Sequence, residues 1–116
     1  MAAPATTSDV FRGSRCRVIT IGQSGANNGN LDYEMSKPLI SLTMQLTGTY
    51  VAGTVAIQGS NDGTNFVALP TAQSLSALGV KSVAVADLGF KHYRFAFTSM
   101  DAGNTLVLYV VAKHFF

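Results

Sequence analysis

The sequence predicts an all-β chain, an antiparallel β-sandwich of jelly-roll type preceded by an extended N-terminal arm. Apolar residues recur with period two in one short segment after another, as in Ile40, Leu42, Met44, Leu46 and again in Tyr93, Phe95, Phe97. Clusters of Gly, Asn, Asp and Pro separate these segments, so that roughly seven or eight strands follow one another at intervals of about ten residues. Nowhere does a capped apolar stripe of helical spacing run long enough to stand as a helix. Many short strands without helices are the pattern of a sandwich or jelly roll, and 116 residues suffice for one core.

Residues 1–14 are built from Ala, Thr, Ser and Pro, with Val10 and Phe11 as their sizeable apolar side chains. Such a segment buries too little to order itself. It is expected as an arm held by its own sandwich or by a neighbouring chain, with residues 15–116 forming the sandwich. Arg15–Ile21 is the first strand of that sandwich, with Cys16, Val18 and Thr20 on one face and Arg15, Arg17, Ile19 and Ile21 on the other. Cys16 is expected as a small buried apolar residue. Gly22–Asn30 is a loop by composition. It lacks the Lys-Ser/Thr and the following helix that a phosphate loop needs.

After Pro38 the alternation is clean. Ile40, Leu42, Met44 and Leu46 should face inward, and Ser41, Thr43, Gln45 and Thr47 outward. Residues 53–69 read as strand, turn, strand: Val55 and Ile57 alternate with polar or small residues, Asn61-Asp62-Gly63 turns the chain, and Phe66, Val67 and Leu69 resume it up to Pro70. Thr71–Gly79 is a loop or a single helical turn. Val80–Ala86 is a strand with Val83 and Val85 on one side, and Asp87-Leu88-Gly89 turns. Phe90–Thr98 sets Tyr93, Phe95 and Phe97 against His92, Arg94, Ala96 and Thr98. Asp101–Asn104 turns again into Thr105–His114, which is apolar on both faces: Leu106, Leu108 and Val110 on one, Val107, Tyr109 and Val111 on the other. An antiparallel strand of this kind has both faces covered. The second cover is either the chain's own loops and arm or another subunit.

Charged residues make up 12% of the chain, about half the roughly 25% of ordinary domains. A surface so poor in charge suits a protein whose exterior is largely buried against partners, and it is equally common in extracellular β proteins. A net charge of +2 is too small an electrostatic footprint for nucleic acid. One cysteine excludes an intrachain disulfide and a cysteine-rich metal site. The N-terminal residues do not read as a signal peptide, and the apolar run Leu106–Ala112 is far shorter than the ~20 residues of a membrane helix. A soluble product with no membrane partner is expected.

The sequence contains no catalytic constellation, so a non-enzymatic role without a cofactor or metal is expected. His92 and His114 have no second ligand at metal-binding spacing. Asp32 and Glu34 share a strand face but have no partner base, and the remaining acids sit at turns or termini. Ser60–Asn65 looks superficially like a calcium loop, yet it lacks the alternating acids and the closing Glu. Turn chemistry accounts for the same residues, with Asn61 and Asp62 bonding their own backbone and Gly63 supplying positive φ.

Gly53-Thr-Val-Ala-Ile-Gln-Gly-Ser-Asn-Asp-Gly-Thr-Asn-Phe66 resembles a strand–turn–strand signature of tailed-bacteriophage structural proteins. In these the turn reads Gly/Ala-Ser-Asn-Asp-Gly, followed two residues later by Trp or Phe. The chain is most similar to small jelly-roll cement or decoration proteins, with Phe66 standing where Trp is commoner. The resemblance implies a protein made in the host cytoplasm and placed on the capsid exterior. Its partner there is the major capsid (coat) protein, whose subunits it bridges, and its assembly is a homotrimer. The contacts expected are Val10 and Phe11 in apolar grooves, Arg12, Arg15 and Arg17 against acids, and Val107, Tyr109 and Val111 against another subunit. The alternative is a carbohydrate-binding module or a tail or receptor-binding module, which would need exposed aromatic side chains.

Overall fold

The computed structural model describes residues 4–13, 15–35, 37–69, 74–83 and 88–114. Ten strands follow in order: β1 (Ala5–Arg12), β2 (Cys16–Ser24), β3 (Gly29–Glu34), β4 (Leu39–Thr49), β5 (Thr54–Ser60), β6 (Val67–Ala68), β7 (Ser74–Leu75), β8 (Gly79–Ser82), β9 (His92–Thr98) and β10 (Thr105–His114). All pairings are antiparallel. One sheet has the order β1-β2-β10-β4-β8; the other runs β3-β9-β5-β6, with β7 also paired to β5. Taking one strand from each sheet in alternation, as β2, β3, β4, β5 and β8, β9, β10 do, is the double Greek key of a jelly roll.

The core lies between the sheets. Ile19 and Ile21 of β2, Leu42, Met44 and Leu46 of β4, and Leu106, Leu108 and Val110 of β10 face Val55 and Ile57 of β5 and Tyr93, Phe95 and Phe97 of β9. The period-two pattern of the sequence therefore selects the inward residues correctly along most of these strands.

At the start of β4 the pattern misleads. Ile40 was expected inside, but it is 46% exposed, and Leu39 is the buried residue. The ladder with β10 explains the switch: Ser41 pairs with Lys113 and Leu39 pairs with His114, so a bulge adds one residue and reverses the parity. Alternation read from the sequence has no means of locating such a bulge.

Residues 5–12 do not extend away from the domain. They pair with β2 along its whole length, with an irregularity between Thr6 and Ser8, and form the edge of the first sheet. Gly13 takes a positive φ of 69° in the tight connection to β2. Every residue of β1 is exposed, so the strand is held by its backbone ladder and a few edge contacts. Within Thr71–Gly79, Ser74–Leu75 is a short strand against Val55 and Ala56. Val83 is buried, while Pro70, Val85, Asp87, Phe115 and Phe116 lie outside the described residues.

Buried polar side chains brace the far end of the sandwich. Asn104 accepts from the Val51 amide (2.7 Å) and donates to the Ala52 carbonyl (2.6 Å), tying the β4–β5 connection to the β9–β10 turn. Gln23 donates to the carbonyls of Gly25 (2.7 Å) and Asn27 (3.1 Å), closing the loop after β2.

The bulge yields a direct test. Leu39→Ala should lower unfolding free energy by about 2–5 kcal/mol. Ile40→Ala should stay within about 0.5 kcal/mol of the parent. Urea titrations of both variants measure the difference, and the reverse order of the two would place Ile40 in the core.

Candidate functional site

Where β10 commits its even-numbered residues to the core, its odd-numbered ones form the outer face of the first sheet. The registers set them in rows across the strands. Val10, Val18, Val111, Thr43 and Ser82 make one row; Ser8, Thr20, Tyr109, Gln45 and Val80 make the next. Tyr109 is 40% exposed and Val80 61%, while Val18, Val107 and Val111 are half-buried. Among the described residues no loop of this chain covers the face, and β1 continues it as an edge strand. Cys16 is also on this side, half-buried and unpaired with another cysteine, rather than in the core.

At the β1–β2 turn the same face ends in base. Arg12 lies opposite Cys16, and Cys16 opposite Lys113. Arg12 and Lys113 are exposed on this face, and Arg15, in the turn itself, is exposed as well. Phe11 points to the other side of β1, since its register partner Arg17 pairs with the buried Ala112, and it is 54% exposed. Its ring stacks on His114 at 6.3 Å, and the Arg17 guanidinium lies 5.4 Å from its centroid.

Arg17 is not part of this free basic end. Its guanidinium donates to both carboxylate oxygens of Asp9 (2.8 and 2.7 Å) and to the Glu34 carbonyl (3.0 Å). It also lies 5.6 Å from the Tyr33 ring centroid, and Tyr33 shares a hydrogen bond with Thr6. The result ties β1 and β2 of one sheet to β3 of the other. The hydrogen bonds from Arg17 hold the Asp9 carboxyl below its usual range. The grouping of Arg12, Arg15 and Arg17 as three partner-seeking bases is therefore split: Arg12 and Arg15 are available, and Arg17 is a structural tie.

The signature turn has a full internal explanation. The amides of Asn65 and Thr64 donate to Asp62 Oδ1 (2.8 and 2.9 Å), as does the Ser60 hydroxyl (2.7 Å), and Asn65 Nδ2 donates to Oδ2 (2.8 Å). These donors hold the Asp62 carboxyl far below the normal range and occupy the oxygens a cation would need. Asn61 Oδ1 accepts from the Lys91 amide at 3.2 Å, anchoring the turn to the start of β9. Gly63 has φ 76°, and a Cβ there would lie 3.1 Å from the His92 ring. A Cβ on Gly59 would strike the Phe90 ring at 2.5 Å. Phe66, the aromatic that ends the signature, lies under Arg94 with the guanidinium 3.9 Å from its centroid. Arg94 in turn makes a two-pronged pair with Asp32 at 2.7 and 3.0 Å. Spacing alone could not show this stack, because Phe66 and Arg94 are brought together by the β5–β9 pairing.

Besides an open cleft of about 280 Å³ along residues 74–81, two others lie elsewhere among the described residues. One of about 350 Å³ is lined by Met35, Lys37, Pro38, Leu88, Phe90 and Lys91. The other, of about 250 Å³, is lined by Thr54, Ala56, Gln58, Ala68, Leu69 and Ser74. Neither lining pairs a nucleophile with a base or one acid with another. Among the described residues no three His, Cys, Asp or Glu side chains gather as metal ligands.

No protein-family model matches the sequence, and no curated protein matches it. In fold the chain is similar to the SPBc2 prophage-derived protein YomS, with a TM-score of 0.62 over 97% of this chain and 96% of that one, at 10% identity. A cupin domain from Bordetella pertussis aligns over 98% of this chain and 97% of its own, with a TM-score of 0.46 and 11% identity. A double-stranded β-helix protein from Klebsiella pneumoniae aligns over 97% of this chain and 72% of its own, with a TM-score of 0.46 and 13% identity. At these identities the likeness is one of fold.

Gly63→Ala should cost about 1–2 kcal/mol from its left-handed backbone, read from denaturant titrations, and calcium should leave the melting temperature of the parent unchanged. The acid limb has a definite sign. Asp9 and Asp62 have depressed folded values, so their stabilisation is complete above the unfolded carboxylate pKa of about 4 and is lost as pH falls through the folded values. Melting temperatures taken from pH 7 to pH 2 should hold steady and then drop. The double variant Asp9→Asn, Asp62→Asn should show a shallower drop, whereas an identical profile would assign the acid limb to other groups.

Proposed function

We propose that this chain is a bacteriophage virion structural protein. In this role it is a cement or decoration protein that binds the outer capsid surface, bridges coat subunits and has no enzymatic activity. The observation that carries the proposal is the exposed β1 edge with its basic turn. Val10 and Phe11 stand 48% and 54% exposed beside exposed Arg12 and Arg15, on a surface otherwise poor in charge. Apolar and basic groups presented together along a strand edge suit a protein surface that offers apolar grooves and acids. The signature turn of residues 53–66 and the similarity in fold to a prophage-derived protein support the same reading.

The mechanism is added interface. β1 is already ordered on its own sheet, so docking through it avoids most of the ~1–2 kcal/mol per residue that ordering a free arm would cost. Each contact can be weak, since a symmetric shell repeats it many times and multivalency raises overall occupancy. The carbohydrate-module alternative is less favoured. Its most plausible stacking platform on the second sheet, Phe66, already has a face covered by Arg94.

Phe11→Ala combined with Arg12→Ala and Arg15→Ala tests the proposal. These side chains are exposed, so the domain should remain folded with an unchanged circular dichroism spectrum. Loss of one buried Phe contact is worth roughly 1.5–3 kcal/mol, about a tenfold to hundredfold fall in affinity. Binding to capsid shells assembled without the protein should fall by at least that factor in a co-sedimentation assay. Full occupancy by the triple variant would overturn the assignment of this edge as the coat-binding surface.

A further inference from the structure

The outer face of the first sheet has the composition of an interface core and an uneven charge distribution. Its central rows contain Val10, Val18, Val107, Tyr109, Val111 and Val80 among Ser, Thr, Gln and Gly, with no acid. The charged side chains on it, Arg12 and Lys113, share the row nearest the β1–β2 turn. The opposite end is Ser24, Thr105 and Thr49, which is uncharged. An aromatic at the centre of an apolar patch with polar margins is the usual anatomy of a protein interface.

We propose that two copies of this chain pair face to face through this surface, about a two-fold axis lying in the face and running across the strands at Tyr109. The inference rests on the face alone: pairing takes up Val10 and Arg12, whereas Phe11, on the opposite side of β1 beside Arg17, stays outside the contact and open to a coat partner. Charge selects the axis. A two-fold along the strands would set Lys113 of one copy on Lys113 of the other. The cross-strand axis sets each basic end against the uncharged Thr105 end and brings Tyr109 to Tyr109 at the centre. The same axis lays the Val111 row of one copy on the Val107 row of the other, so both copies use the same patch, as a two-fold contact requires. With four strands about 4.8 Å apart giving roughly seven residues each at ~3.4 Å, and β8 its four, it offers on the order of 500 Å² per copy. Two such faces reach the ~1,000 Å² total at which specific interfaces begin. An acidic partner would engage one end of the face and leave the Val and Tyr rows unmatched, whereas a second copy matches the whole of it.

Sedimentation velocity on the full chain at micromolar concentration should give twice the 12.2 kDa chain mass. Tyr109→Arg should return a folded monomer, with at least a tenfold loss in dimer affinity and an unchanged circular dichroism spectrum. The axis is read separately by a short bis-maleimide cross-linker in a Cys16→Ser background. Gln45→Cys, in the Tyr109 row, should cross-link to itself, and Lys113→Cys, at the basic end, should not. A monomer or a trimer for the parent chain would overturn the proposal. So would undiminished dimerisation of Tyr109→Arg, or cross-linking of Lys113→Cys in place of Gln45→Cys.

Discussion

The seam between the two sheets fixes what every other surface of this molecule can do. Leu106, Leu108 and Val110 of β10 join Tyr93, Phe95 and Phe97 of β9 in one continuous buried cluster. Burying a single side chain of this size is worth roughly 1.5–3 kcal/mol, so the parity of β10 is settled there and nowhere else. Once the even-numbered residues are committed inward, Val107, Tyr109 and Val111 must point out of the sandwich. Their apolar character then exceeds what the core of one chain uses. The same commitment, carried across the ladder by register, aligns Val10, Val18 and Val80 on that outer side.

A second constraint acts at the edge. β1 buries none of its side chains, so the seam does not hold it. What holds it besides its ladder is the Arg17 cluster, in which one guanidinium meets Asp9 on β1 and the Glu34 carbonyl at the end of β3. Arg suits that position because its planar fork can satisfy a carboxylate with two donors and a carbonyl with a third. The effect is to keep the strand flat against β2 while Val10, Phe11 and Arg12 stay in solvent.

Much of this was legible in the sequence wherever burial imposes a period of two. The strands of the core, their inward residues, the signature turn and the positive φ at Gly63 all follow from pattern and turn chemistry. The excess apolar face of β10 was equally visible, but one chain cannot state what covers it, and among the described residues no loop does. Other features depend on partners distant in sequence. The bulge that exchanges Ile40 for Leu39 is a property of the β4–β10 ladder. The stack of Arg94 on Phe66 requires the β5–β9 register, and the division of Arg17 from Arg12 and Arg15 requires Asp9 to lie across the hairpin. His114 is the sharpest case. It ends an alternating run on its inward side and is 2% exposed, although a histidine so near the chain end carries no sequence signal of burial.

The central claim is that the β1 edge and its basic turn meet a capsid. Electron cryomicroscopy of phage particles assembled in the presence of this protein tests it most directly. Jelly-roll density on the outside of the shell, with the β1–β2 turn and Phe11 against coat subunits, is the predicted result. Density confined to the tail, or capsid contacts made through the Asp32–Arg94–Phe66 face of the other sheet, would contradict it.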